Sequence, residues 1–138
     1  VVVHGTEAHL IAGGLVETGT RVLSGPFLCD RSKPELRNQT PATPGILSGA
    51  GVPTAIITDH PVIPIQYLPV CAGLAVREGM DYEEALRAIT INPAKICGLD
   101  HRLGSLEVGK DADLVLFDQD PLTIAAKPKM VIAGGKLV

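Results

Sequence analysis

Thr54-Ala55-Ile56-Ile57-Thr58-Asp59-His60-Pro61 is the stretch of this 138-residue sequence that decides the fold. Its first five residues are apolar or β-branched, which predicts a strand buried on both faces, and a polar pair follows at once. Val1-Val2-Val3 followed by His4-Gly5 repeats this pattern at the start of the sequence. Residues 20–23 predict another strand between these two. Buried strands of this kind are typical of a parallel sheet.

Helical patterns separate and follow the strands. Residues 7–16 carry apolar side chains at helical spacing, residues 65–77 are mostly apolar, and residues 46–50 allow at most a short helix. The alternation of strand and helix predicts a parallel sheet with right-handed crossovers. Three such units are too few to close an eight-stranded barrel, but they suffice for the last part of one.

Two polar residues are predicted to begin the later helices. Asp81 is a suitable N-cap for a helix that starts at the next residue, with Glu84 placed as in a capping box. Asn92 is expected to cap a short helix that begins at Pro93, since proline favours the first helical turn. Gly98 is expected to end that helix.

The pattern changes near residues 99–104, and the chain beyond them is expected to be nearly all strand. Leu114-Val115-Leu116-Phe117 predicts one strand. Met130-Val131-Ile132, Gly134-Gly135 and Lys136-Leu137-Val138 together predict a hairpin. Two architectures therefore share one chain.

Composition limits the class of protein. Apolar residues make up 46% of the chain and charged residues 20%, which indicates a globular protein. The net charge is −3 and no basic stripe is interleaved with aromatic residues, which argues against nucleic-acid binding. No apolar run of about 18 residues is present, so no membrane span is predicted. Cys29, Cys71 and Cys97 form no CxxC pair, and we expect buried free thiols in a reducing, cytoplasmic setting.

Two polar residues directly follow predicted strands, and they are the candidate metal ligands. His4 follows the first strand and Asp59 the third. The carboxyl ends of parallel strands face the ligand crevice, where an imidazole and a carboxylate can bind a divalent metal. Such an ion lowers the pKa of a bound water to about 7, and the carboxylate can take its proton. The simpler alternatives are a histidine bonded to backbone and an aspartate that begins a turn.

The other histidines and one long loop give weaker signals. His60 neighbours Asp59 and is expected to line the substrate pocket, although an exposed loop position is the simpler interpretation. Residues 29–44 are polar and contain proline, and a loop of this length suggests function. His9 lies five residues after His4, which puts the two on different faces of a regular element, and His101 receives no role.

Residues 104–110 match the spacing of a phosphate-binding P-loop, which raises a nucleotide-binding alternative. Asp111 stands where Ser or Thr would hold magnesium, and a strand is predicted to follow instead of a helix. We therefore interpret this segment as a turn between strands.

Several motifs together resemble the C-terminal part of the amidohydrolase superfamily, nearest to its imidazolonepropionase-like and Xaa-Pro dipeptidase-like branch. They are His4-Gly5-Thr6, Thr58 to Pro64, Glu84-Ala85-Leu86, Ile89-Thr90, Asn92-Pro93-Ala94-Lys95, Gly98-Leu99 and Gly104 to Val115. The resemblance covers nearly the whole chain, and residues 92–115 are its most specific part.

The resemblance implies a metal-dependent hydrolase with a TIM (β/α)8 barrel and a small β-sandwich. Residues 1–98 would be the C-terminal part of the barrel, and residues 99–138 the C-terminal strands of the sandwich. His4 would be the metal ligand of the sixth barrel strand. Asp59, after the eighth, would bind the divalent metal, expected to be zinc, and shuttle protons. The family's His-x-His of the first strand, lysine of the fourth and histidine of the fifth have no counterpart here and would precede Val1.

A chain without those residues is expected to be inactive alone and to hold a catalytic metal poorly. Exposed strand edges would favour a homo-oligomer or association with the missing N-terminal part. The implied substrate is a small molecule or peptide whose C–N bond, in an amide, peptide or cyclic amide, is hydrolysed by metal-activated water. A non-catalytic module that folds or self-associates without chemistry remains the alternative.

Overall fold

The computed structural model describes residues 1–138 and contains two three-stranded sheets. The first is parallel, in the order β1-β2-β3, and consists of Val2–His4, Val22–Ser24 and Thr54–Ile56. The second is antiparallel, in the order β4-β5-β6, and consists of Leu114–Phe117, Pro128–Ala133 and Lys136–Leu137. The mixed α/β class, the parallel sheet and the C-terminal hairpin are therefore confirmed.

Five α-helices and three 3-10 turns connect or follow the strands. The helices are α1 Ala12–Glu17, α2 Thr43–Gly49, α3 Leu68–Arg77, α4 Tyr82–Ala88 and α5 Ile91–Cys97. The 3-10 turns are Ala8–Ile11, Pro34–Leu36 and Ile65–Tyr67. The predicted helices over residues 7–16 and 65–77 thus exist, but each begins with a 3-10 turn.

Two predictions about the strands need correction. The predicted burial of Val1-Val2-Val3 is wrong, because Val2 and Val3 are 40% and 52% exposed. Neighbouring strand residues point to opposite faces, so neither face of the edge strand β1 is covered, whereas all three residues of β3 are buried. Residues 99–138 are not nearly all strand either, since turns occupy most of the chain before Leu114 and between β4 and β5.

The helix caps were predicted correctly at one residue and wrongly at another. Asp81 Oδ1 accepts a hydrogen bond from the Glu84 main-chain N–H at 2.9 Å, which confirms the N-cap, although the Glu84 side chain bonds to Asn92 and does not complete the capping box. Asn92 does not cap its helix, because it lies inside α5. Its Nδ2 instead donates to the Thr54 carbonyl oxygen at 3.1 Å and to Glu84 Oε1 at 2.7 Å. The Asn92 side chain therefore joins α5 to β3 and to α4.

We expect Asn92→Ala to lower the free energy of unfolding by about 1–3 kcal/mol, because it leaves polar partners without their hydrogen bonds. Urea unfolding of the chain measures the loss. Asn38→Ala is the matched control, since the Asn38 amide bonds only to Glu7 on the surface and its loss should cost no more than about 0.5 kcal/mol. Equal unfolding midpoints for the two variants would contradict this assignment.

The largest core cluster lies between the parallel sheet and helices α3 and α4. It contains Ile56 of β3, small residues such as Ala72 and Ala85, and Leu122 from the C-terminal segment. Gly73 of α3 packs so closely on the Leu122 carbonyl that an added Cβ would overlap it.

The Tyr82 hydroxyl also donates to Asp120 Oδ1 at 2.8 Å, and this bond raises the pKa of Tyr82. Residues after 99 are thus packed against the helices, while the boundary between residues 98 and 99 stays a prediction.

The structure bears on two predictions, that the cysteines are buried free thiols and that no segment spans a membrane. Cys29, Cys71 and Cys97 are all free, but only Cys71 is buried, so the prediction of three buried thiols is wrong. Burial raises the pKa of the Cys71 thiol. None of the helices has the length and apolar character needed to span a bilayer.

Candidate active site

The parallel sheet brings the ends of its strands to one rim. His4 is the last residue of β1 and pairs in register with Ser24 of β2, which pairs with Ile56 of β3. Asp59 follows three residues after Ile56. Because all three strands run in the same direction, His4 and Asp59 emerge on the same edge of the sheet.

Both candidate ligands have an unusual backbone. His4 has φ of 69° and Asp59 has φ of 52°, and they are the only non-glycine residues of the chain with positive φ. A side chain in this left-handed region costs of order 1–3 kcal/mol and persists where the surrounding structure enforces it. Such positions cluster at functional sites, so the strain singles out the same two residues as the sequence pattern.

His4 and Asp59 also line one cavity of about 350 Å³. This volume is in the range of small-molecule sites, which begins at roughly 300 Å³. Most of the remaining wall comes from the loop predicted to be functional, including Cys29, Lys33 and Gln39. The loop therefore lies over the rim where the two candidate ligands emerge.

The hydrogen bonding of His4 sets its tautomer. Nδ1 lies 3.2 Å from the Gly25 carbonyl oxygen. A carbonyl oxygen only accepts, so Nδ1 carries the proton in this bond, and Nε2 of a neutral ring keeps its lone pair. Metal-binding histidines are commonly held in this way by a backbone carbonyl. The simpler alternative, a histidine bonded to backbone, is thus correct for Nδ1, while Nε2 remains available to bind a metal.

Asp59 combines a turn position with an exposed carboxylate. Its carbonyl oxygen accepts a hydrogen bond from the Val62 N–H at 2.8 Å, which makes it a turn residue as the simpler alternative expected. The side chain is exposed and reaches the cavity wall. The backbone role therefore does not occupy the carboxylate oxygens.

His4 and Asp59 are chemically suitable metal ligands, but two ligands are fewer than a catalytic metal site needs. An imidazole nitrogen and a carboxylate oxygen are both ordinary zinc ligands. A catalytic zinc takes three protein ligands, and nowhere in the chain do three His, Cys, Asp or Glu side chains group closely enough to hold an ion. His4 and Asp59 can accordingly supply only part of a metal shell.

The other histidines are not among the residues that line this cavity. His60 Nδ1 accepts a hydrogen bond from the Ile65 N–H at 3.3 Å, and His60 is not among the lining residues. Its substrate role stays a prediction. His9 Nδ1 lies 3.0 Å from Thr43 Oγ1, which joins the first 3-10 turn to α2.

The P-loop alternative finds no support in the turn that carries its lysine. Lys110 Nζ donates to Ser105 Oγ at 2.5 Å and lies 3.2 Å from Glu107 Oε1. Its side chain is only 12% exposed, so the ammonium is engaged within its own turn. The Ser105 hydroxyl donates to Glu107 Oε1 at 2.5 Å, and this bond first and Lys110 second hold the pKa of Glu107 below its ordinary value.

Sequence reasoning missed three residues at the rim. Gly25 has φ of 139°, and a Cβ there would overlap the Ile57 carbonyl oxygen. The Ser24 hydroxyl is buried without a hydrogen-bond partner. Gln39 is a buried amide of the loop that donates to the Pro26 carbonyl oxygen. The sequence Ser24-Gly25-Pro26 contains a glycine–proline pair typical of a chain break, which is a signal for the glycine, whereas nothing in the sequence pattern points to Gln39.

Comparison with known proteins gives a consistent result. The family model for the Amidohydrolase family matches residues 1–138. An amidohydrolase of Hapsidospora irregularis, tasK, is 33% identical over 135 residues, which cover 96% of this chain and 14% of that protein. The crystal structure of an amidohydrolase from Thermotoga maritima superposes with a TM-score of 0.94 at 43% identity, and covers 99% of this chain and 36% of that one.

An adenosine deaminase from Xanthomonas campestris with bound zinc superposes with a TM-score of 0.69 at 28% identity, over 98% of this chain and 36% of that one. This chain thus spans a seventh of the curated relative and about a third of each solved structure. Because the family model matches from the first residue to the last, the chain belongs to the amidohydrolase family.

Proposed function

We propose that this chain is part of a metal-dependent hydrolase that cleaves a C–N bond, in an amide, peptide or cyclic amide, with metal-activated water. One observation carries the proposal: His4 and Asp59 leave the sheet at the same rim, both with a left-handed backbone, and line one cavity. Membership of the amidohydrolase family supports the reaction class. The zinc in the related adenosine deaminase supports zinc as the metal.

In this proposal each residue has a separate task. His4 binds the metal through Nε2 while the Gly25 carbonyl oxygen holds Nδ1–H and fixes the ring. Asp59 binds the metal with its carboxylate and accepts the proton that the attacking water gives up. It then returns this proton to the leaving nitrogen. A divalent cation, when bound, supplies Lewis acidity and makes water nucleophilic near neutral pH.

The substrate enters through the cavity that loop 29–44 covers. We propose a small molecule or a peptide, with His60 at the outer edge of the pocket. The cavity of about 350 Å³ supports a substrate of modest size. Three free cysteines support a reducing compartment such as the cytoplasm.

Exposed apolar strands support association with the rest of a larger fold. Val2 and Val3 leave both faces of β1 uncovered, and adjacent Val115 and Leu116 do the same for β4. We propose that residues 1–98 complete a (β/α)8 barrel and that residues 99–138 complete a β-sandwich. In each case the missing strands come from the part of the full-length protein outside this chain, and that part would also supply the other metal ligands.

Metal content tests the ligand assignment. We expect full-length protein with His4→Ala to retain at most about a tenth of the zinc affinity of the wild type. Loss of a residue that only hydrogen-bonds to a metal ligand weakens metal binding about 10–100-fold, and loss of the ligand itself should weaken it more. His101→Ala is the matched control, since His101 is exposed, does not line the cavity and has no role at the site, and it should bind zinc normally. Zinc retained equally by both variants would exclude His4 as a ligand.

A non-catalytic module is the second candidate, and the lack of a three-ligand cluster within the chain favours it. It differs from the first in one measurable respect. Full-length protein would then lack both bound metal and hydrolysis of amide substrates, while the exposed strands would still drive association.

A further inference from the structure

Gln39 is a buried polar residue of the loop that covers the cavity, with 8% of its surface exposed. Its Nε2 donates to the Pro26 carbonyl oxygen and lies 3.4 Å from Cys29 Sγ. The main-chain carbonyl of Gln39 accepts a hydrogen bond from Arg31 Nη2 at 2.7 Å. Gln39 therefore ties the loop to the segment that follows β2.

The residue next to Pro26 is the one that holds His4. The Gly25 carbonyl oxygen accepts the His4 Nδ1–H at 3.2 Å, and the Gly25 N–H donates to the His4 carbonyl oxygen, also at 3.2 Å. Gln39 thus holds one end of the two-residue segment Gly25-Pro26, and His4 is bonded to the other. Gln39 and His4 also line the same cavity.

We propose that Gln39 is a positioning residue for His4. By holding the Pro26 carbonyl, its amide fixes the direction of the Gly25 carbonyl, and this keeps the His4 proton on Nδ1 and presents the Nε2 lone pair to the cavity. The proposal depends on the proposed function in one respect, namely that Nε2 of His4 binds the metal. A purely structural Gln39 would stabilise the loop without affecting the ring.

The tautomer of His4 separates these two roles. Full-length protein with ¹⁵N-labelled imidazoles is treated with a chelator, and nitrogen–proton correlation spectra are recorded, with the His4 signals identified by their loss in His4→Gln. The wild type should show one tautomer, with the proton on Nδ1. Gln39→Met keeps the side-chain length but removes the donor, and it should give a mixture of both tautomers.

Gln39→Glu provides a second variant of the same shape. At a pH that ionises the new carboxyl group, it faces the Pro26 carbonyl oxygen with no proton to donate, so the tautomer should change at least as much as in Gln39→Met. Zinc titration should show roughly tenfold weaker binding in both variants, as for loss of an outer partner of a metal-binding histidine. The second variant keeps the test decisive if the first fails to fold.

Asn38→Ala is the control within the same loop. Asn38 is exposed and its amide donates to Glu7 Oε1 at 2.6 Å, so its loss should leave the wild-type tautomer and zinc affinity. A wild-type tautomer in both Gln39 variants, with only a lower melting temperature, would overturn the proposal. A changed tautomer in those variants, together with normal zinc binding by His4→Gln, would support the positioning role and refute the metal site instead.

Discussion

Asp59→Asn in the full-length protein is expected to lower kcat/KM for amide hydrolysis by about 10²–10⁴-fold, the contribution usual for a general acid–base residue. The amide has the shape of the carboxylate but accepts no proton from water at neutral pH. Asp59 keeps its backbone bond to the Val62 N–H in this variant, so the turn should survive. Steady-state kinetics across a range of metal concentrations separate loss of the base from loss of the ion.

Asp100→Asn is the control for this change. Asp100 lies outside the cavity, so removal of its charge should leave kcat/KM within about twofold of the wild type, as for most surface substitutions. An Asp59→Asn enzyme as active as the Asp100→Asn enzyme would show that the proton acceptor is another group.

Gly25→Ala is expected to destabilise the chain by about 3–5 kcal/mol, the sum of backbone strain and overpacking. The residue has φ of 139°, and its Cβ would overlap the Ile57 carbonyl oxygen beside β3. Relief of this overlap requires the backbone at residue 25 to move, and this movement would take the Gly25 carbonyl away from His4 Nδ1. Urea unfolding measures the cost, and zinc titration of full-length protein measures the effect on the site.

Gly51→Ala separates the strain from the overlap. Gly51 has φ of 92°, but nothing lies within 4 Å of the position that its Cβ would take. We expect this control to cost only about 1–2 kcal/mol, the price of a left-handed side chain. If both variants unfolded at the same urea concentration, the close contact with Ile57 would be refuted.

Short-range patterns predicted the features that depend on neighbouring residues. Apolar runs before His4 and Asp59 were enough to place His4 at the end of β1 and Asp59 just beyond β3, although only β3 has the burial on both faces that the pattern predicted. Asp81 was identified as a cap because its partner Glu84 is three residues away. These are local interactions, and one sequence is sufficient to read them.

Contacts between distant parts of the chain were not predictable in this way. Asn92 resembled a cap in its sequence context, but its amide bonds across to Thr54, which is 38 residues earlier. Gln39 reaches Pro26 from a loop with no periodicity, and Leu122 enters a core built by helices well before it. The exposure of Val2 depends on what packs outside β1, which its own pattern does not contain.

The central claim is that His4 and Asp59 bind one ion at the rim of the parallel sheet. Anomalous diffraction at the zinc edge, from crystals of the zinc-loaded full-length protein, tests it most directly. We predict one ion with His4 Nε2 and an Asp59 carboxylate oxygen both about 2.0–2.2 Å away. Zinc bound elsewhere, or an ion at this rim that either residue fails to reach, would contradict the account.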